Sequence, residues 1–156
     1  MSRRFLPETI ISGGQTGADR AGLDAALSRG IAVDGFMPRG ALAEDGRVPA
    51  HYGLRETSSS KYSARTLRNL LYADATLILY FGDLSGGTLL TYVKCLQNSK
   101  PVLLLNLRES RTFCLRQARA FLRAYRPKLL NIAGPRESKS PGIYGSAFDF
   151  LLELLG

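Results

Sequence analysis

Thr9-Ile10-Ile11-Ser12-Gly13-Gly14-Gln15-Thr16-Gly17-Ala18-Asp19-Arg20 begins as a β-branched run and passes through three glycines. It then enters helix formers that continue to Arg29. The order strand, glycine-rich loop, helix is one that holds an anion. Glycine lets the backbone approach a ligand, and the helix start turns unpaired N–H groups and a positive dipole end toward it. The spacing Gly-Gly-x-x-Gly is neither the G-x-G-x-x-G dinucleotide fingerprint nor a Walker A loop, because no Gly-Lys-Ser/Thr ending follows. The same glycines also suit a tight turn without a ligand, so this loop alone leaves both readings open.

Outward from this stretch, the chain alternates strands and helices. Ala18 to Arg29 carries Leu23, Ala26 and Leu27 at helical spacing, with Gly22 on the same side and Gly30 as a C-terminal stop. Gly22 weakens the helix unless close packing on a sheet requires it. Ile31 to Phe36 reads as a second strand, and Met37 to Tyr52 as a long irregular connection of the kind that is usually functional or mobile. A brief edge strand is expected near Leu54–Thr57 and a helix over Lys61 to Tyr72. Ala75 to Phe81 is continuously apolar, as in a strand buried on both faces. Gly82-Asp83-Leu84-Ser85-Gly86-Gly87-Thr88 follows, and then a helix to about Gln97 with Leu89, Val93 and Leu96 inward. Val102 to Asn106 is another strand. Arg111 to Tyr125 is a helix with Cys114, Ala118, Phe121, Leu122 and Tyr125 on one face and Arg116, Arg119, Arg123 and Arg126 opposite. Lys128 to Ile132 is the last strand, followed by Ala133-Gly134-Pro135-Arg136-Glu137-Ser138 and a closing helix from Ile143 to Leu155.

This alternation predicts an α/β domain over residues 1–156, with a mostly parallel, doubly wound sheet of five or six strands. Right-handed crossovers place all strand-to-helix loops at the carboxyl edge of the sheet, where such folds bind ligands. Three chemically similar loops at one edge argue for an anion site far better than one does.

Composition narrows the partners. The net charge of +8 favours anions. The basic stripe on Arg111 to Tyr125 lacks interleaved aromatics, so a solvated face or an oligomer contact is preferred to nucleic acid. Cys95 and Cys114 lie far apart and His51 is the lone histidine, which gives no disulfide framework and no zinc spacing. Without an apolar leader or spanning segment, the expectation is a cytoplasmic protein with no membrane partner.

Several segments together resemble the molybdenum cofactor carrier family, in the YpsA-like branch of the SLOG superfamily of Rossmann-like proteins. They are Ser12 to Arg20, Ala43-Glu-Asp-Gly46, Tyr62 to Asn69, Ser85-Gly-Gly-Thr-Leu-Leu-Thr91 and Ala133 to Ser138. The resemblance runs from about Ile10 to the C-terminus. It implies a Rossmann-like three-layer sandwich that assembles as a homo-oligomer, a dimer or tetramer. It also implies an anionic small-molecule ligand, either molybdenum cofactor (molybdopterin) or another pterin-phosphate or nucleotide-like anion. The superfamily also holds phosphoribohydrolases with a Pro-Gly-Gly-x-Gly-Thr-x-x-Glu loop. Here Leu84 to Thr91 lacks the proline, the third glycine and the glutamate. A carrier is therefore expected, with a nucleotide-hydrolysing enzyme as the alternative.

The expected ligand contacts are Gly13, Gly14, Gln15, Thr16, Gly17, Asp19 and Arg20 in the first loop. Asp83, Ser85, Gly86, Gly87 and Thr88 supply them in the second, and Gly134, Arg136, Glu137 and Ser138 in the third. Thr16 and Thr88 place hydroxyls at helix starts, suited to phosphate or to capping. Arg20 sits where the dipole disfavours a cation and so calls for an anion nearby. Arg136 can offer phosphate a bidentate fork. Arg39 and Arg65 are weaker candidates.

Overall fold

In the computed structural model, which describes residues 4–156, the first strand β1 (Thr9–Ile11) leads into helix α1 (Ala18–Ser28) as the glycine loop predicts. Next come strands β2 (Ala32–Asp34), β3 (Phe36–Met37), β4 (Leu42–Ala43), β5 (Gly46–Arg47) and β6 (Arg55–Glu56), then helix α2 (Tyr62–Tyr72). The second half runs β7 (Ala75–Tyr80), α3 (Gly86–Gln97), β8 (Val102–Asn106), α4 (Arg111–Tyr125), β9 (Leu129–Ala133) and α5 (Ile143–Leu154).

Five strands form one all-parallel sheet in the order β2-β1-β9-β7-β8. Counted from β9 as the first strand, that order becomes 3-2-1-4-5, the order of a doubly wound dinucleotide-type sheet. The strand that is last in sequence is thus central in space. Helices α1, α4 and α5 pack side by side, while α2 and α3 pack on each other. Leu77 and Leu79 of β7 join the core with Ile10, Leu130 and Ile132, Phe121 and Leu122 of α4, and Phe150 and Leu151 of α5. Thr76 and Ile78 alternate with Leu77 and Leu79 along the strand and are also fully buried. That two-sided burial explains the uninterrupted apolar run. Gly22 packs on β9: a Cβ there would stand 2.8 Å from that of Ile132.

The structure corrects four local expectations. The predicted strand from Ile31 to Phe36 breaks at Gly35 into β2 and β3, because there the backbone crosses Ser12 so closely that a Cβ would lie 2.1 Å from its carbonyl oxygen. The stretch from Met37 to Tyr52 is not irregular. It holds the β4–β5 hairpin and a 3-10 turn at Ala50–Tyr52. Ala41, Ala43, Val48, Tyr52 and Leu54 cluster against Leu23 of α1, giving the insertion a small core of its own. Leu89, Val93 and Leu96 do not face inward on α3; they are exposed, and the helix buries Thr88, Thr91 and Cys95 instead. Tyr125 of α4 and Leu27 of α1 are exposed as well.

Candidate functional site

Strands β1, β9 and β7 are neighbours in the sheet, so the loops that follow them stand side by side at its carboxyl edge. Between the loops after β9 and β7, where the chain turns from one side of the sheet to the other, lies a cavity of about 430 Å³. Pockets of this size accept drug-sized ligands, and the place is the topological switch point.

Of the residues expected from the sequence, the cavity is lined by Gly13, Gln15, Asp19, Asp83, Ser85, Gly87, Thr88, Gly134 and Arg136. Gly14, Thr16, Gly17, Arg20, Gly86, Glu137 and Ser138 are not among its lining residues. Their contacts explain why. Gly14 has φ +79° and backs onto Val48, whose Cγ1 would be 2.7 Å from a Cβ. Gly17 has φ +82° and admits the third loop, with the Pro135 carbonyl 2.4 Å from where a Cβ would stand. Only glycine takes that backbone angle and that approach without strain. The same carbonyl accepts the N–H of Ala18, so a first-turn donor of α1 is spent on protein. Arg20 finds its anion in Asp45, which it grips through both terminal nitrogens, and its Nε donates to the Gly14 carbonyl. Hydrogen bonding from Arg20 holds the Asp45 carboxyl below its ordinary value.

Glu44, carried by the β4–β5 hairpin, fills the space between the first and third loops. Its carboxylate accepts the hydroxyl of Thr16, the backbone N–H of Ser138 at 3.1 Å and the Ser138 hydroxyl; Arg136 Nε lies 3.6 Å away. These donors belong to the loops assigned to a phosphate, and the protein satisfies them with its own anion. The Ser138 and Thr16 hydrogen bonds hold the Glu44 carboxyl below its ordinary value. Glu137 turns the other way and accepts the N–H groups of Gly142 and Tyr144, the latter at 2.9 Å, at the start of α5.

The second loop is different. Asn106 Oδ1 accepts the N–H of Gly82 at 3.1 Å and shapes the turn. Ser85 precedes α3 but makes no side-chain cap, so the helix opens on the cavity with its first N–H groups uncapped by that side chain. Lys139 also lines the cavity, and its Nζ is 3.1 Å from where a Cβ of Gly86 would stand. A cation and a helix N-terminus at one spot repel each other, and an anion between them would be stabilised by both.

Helix α2 forms a wall of the cavity. Tyr62, Ser63, Arg65, Thr66 and Asn69 line the cavity, with Tyr80 and Phe81 at the end of β7 and Asn131 on β9. The signal was there in the Tyr62 to Asn69 segment, but helical spacing alone does not say which residue faces a ligand. Arg65 and Asp19 are 8% and 7% exposed and pair at 2.8 Å from Nη1 to Oδ2. Arg65 lies flat on the Gly13 backbone, where a Cβ would stand 1.8 Å from Nη1, and its Nε has no hydrogen-bond partner. Burial pushes the Asp19 carboxyl up from its ordinary value, and Arg65 and the Gln15 N–H oppose that shift. On the far side of α1, Asp24 accepts the hydroxyls of Tyr52 and Tyr144, tying the insertion and α5 to α1. Burial beside Asp24 pushes the Tyr144 hydroxyl up to about 12. Among the described residues no helix is long and apolar enough to cross a membrane.

Comparison with known proteins agrees with this architecture. No curated protein matches the chain significantly. The crystal structure of a "putative molybdenum carrier protein" from Syntrophus aciditrophicus SB is 45% identical over 96% of this chain and 94% of that one, with a TM-score of 0.92. Residues 10–155 match the family described as circularly permutated YpsA of the SLOG group, and a central strand that comes last in sequence is what such a permutation produces. The chain belongs to the circularly permuted YpsA family of SLOG proteins.

Proposed function

We propose that this protein binds and carries a phosphorylated, heterocyclic anion in the cavity between the β9 and β7 loops, with molybdenum cofactor as the leading candidate for the cargo. The observation that carries the reading is the start of α3: an N-terminus without a side-chain cap, flanked by Lys139, which makes no salt bridge among the described residues, and facing the cavity. Phosphate is the group such a place favours, through helix N–H donors and charge-assisted hydrogen bonds. Tyr62, Tyr80 and Phe81 offer flat apolar surface for a ring, and the volume suits one. The residues present fit a pterin-phosphate group. Gly87, Thr88, Ser85 and Lys139 would hold its phosphate, and the α2 wall its ring. The carrier name of the 45% identical relative points the same way.

We read the carrier as a homo-oligomer in a reducing, cytoplasmic setting. The exposed stripe Leu89, Val93 and Leu96 offers an apolar contact, and both cysteines are free and buried. Mass spectrometry of the purified protein, released by acid, tests the cargo. A stoichiometric phosphorylated pterin or nucleotide is expected. Preparations that carry none and gain none after incubation with such compounds would contradict the reading, and base release from nucleotides would point to the enzyme instead.

A further inference from the structure

We propose that the buried Arg65–Asp19 pair reads the lactam edge of the ligand's ring, an oxo group beside a ring N–H, so that the cargo is a phosphorylated oxo-heterocycle rather than its amino counterpart. This rests on the phosphate-binding reading above. Three cations line the cavity, Lys139, Arg65 and Arg136, and the last lies 3.6 Å from the Glu44 carboxylate. Lys139 stands at the start of α3 and makes no salt bridge among the described residues, so its charge is free for a phosphate. Arg65 is already neutralised by Asp19 at 2.8 Å. A phosphate at Arg65 would gain one cation and meet one carboxylate, with no net attraction and two desolvated charges to disturb.

What the pair offers instead is direction. Arg65 gives one hydrogen bond, from Nη1, and its Nε is left without a partner in a side chain that is 8% exposed. Arg65 lines the cavity, so a ligand acceptor placed against it meets a charged donor that makes a single hydrogen bond to protein. Asp19 takes Arg65 Nη1 and the Gln15 N–H both on Oδ2, which leaves Oδ1 as an acceptor. A donor fork beside a carboxylate oxygen complements a carbonyl next to a ring N–H. An amino-substituted ring reverses both partners, placing donor against donor and acceptor against acceptor. Tyr62, on the same helix, is close enough for the Arg65 guanidinium to sit 5.7 Å from its ring centre, so the ring that is read can lie on an aromatic face.

The test is calorimetric binding of two matched pairs, neopterin phosphate against its 4-amino counterpart and inosine monophosphate against adenosine monophosphate. The oxo member is expected to bind at least about tenfold tighter, because a site built around hydrogen bonds rejects ligands that leave them unmade. In Arg65→Lys that preference should fall to within about twofold, while phosphorylated compounds still outbind their dephosphorylated forms. Should Arg65→Lys fail to fold, the neutral pair Asp19→Asn with Arg65→Met is expected to fold and lose the preference. Equal binding of oxo and amino forms to the wild-type protein, or a preference that survives in a folded Arg65 variant, would overturn the assignment and leave the phosphate site standing. Binding by none of the phosphorylated probes would remove both.

Discussion

Gly14 and Gly87 hold similar places in two glycine loops, yet a side chain meets different surroundings at each. Gly14 has a positive φ and is pressed against Val48 and Leu54, whereas nothing lies within 4 Å of a Cβ at Gly87. Gly14→Val should therefore lose stability on the order of 1–3 kcal/mol from strain and overpacking, seen as a lower denaturation midpoint. Gly87→Val should keep its midpoint and lose affinity for phosphorylated ligands by tenfold or more. A Gly87→Val protein that binds normally would show that the α3 start is not used. Residue identity thus announced a glycine requirement in both loops, but the cause differs, since one glycine is spent on packing and the other is left open. Glu44 offers a second residue-level prediction. Its carboxyl lies below the ordinary value of 4.5, so the stability it contributes is present above that pH and is lost as pH falls through the lower folded value. The stability difference between wild type and Glu44→Gln, followed by denaturant titration across pH, should be constant above about 4.5 and shrink toward zero in more acid solution. A gap that widens below that pH would contradict the hydrogen-bonding account.

At the scale of elements, the boundaries of β1, β8 and α4 were legible because each has an unambiguous period and a clear stop. The faces were less so. Helix α3 has an apolar stripe at helical spacing, and spacing alone turned Leu89, Val93 and Leu96 inward. The helix instead directs Thr88 and Thr91 to the cavity side and leaves the stripe outside. A stripe of this kind looks the same in sequence whether it meets the core of its own chain or another surface. The proposed homo-oligomer, if it forms through this stripe, makes a direct prediction: Leu89→Glu with Leu96→Glu should lower the mass seen by light scattering and leave the thermal midpoint of the monomer nearly unchanged. An unchanged mass in the folded variant would contradict the proposed contact. The connection before α2 was the least legible element, because its two-residue strands and its packing on Leu23 depend on contacts distant in sequence.

At the scale of the molecule, alternation of strands and helices sufficed for a parallel sheet with ligand loops on one edge, but not for strand order. That order needed β9 to insert between β1 and β7, which no local pattern encodes. The insertion makes the three glycine loops neighbours, and it separates their tasks. The first and third lock together through Gly17 and Glu44, while the second faces the cavity. Ligand binding should then act on the whole domain. Saturation at about a hundred times the dissociation constant stabilises the native state by about 2.7 kcal/mol. For a chain of this length that amounts to a rise in Tm on the order of 5–10 °C. The central claim is that the start of α3 with Lys139 binds phosphate. Its most direct test is the thermal shift given by a phosphorylated pterin and by its dephosphorylated form, in the wild-type protein and in Lys139→Ala. The account predicts a rise of that size for the phosphorylated compound only, reduced by half or more in Lys139→Ala. Equal shifts from both compounds, or a full shift retained without Lys139, would contradict it.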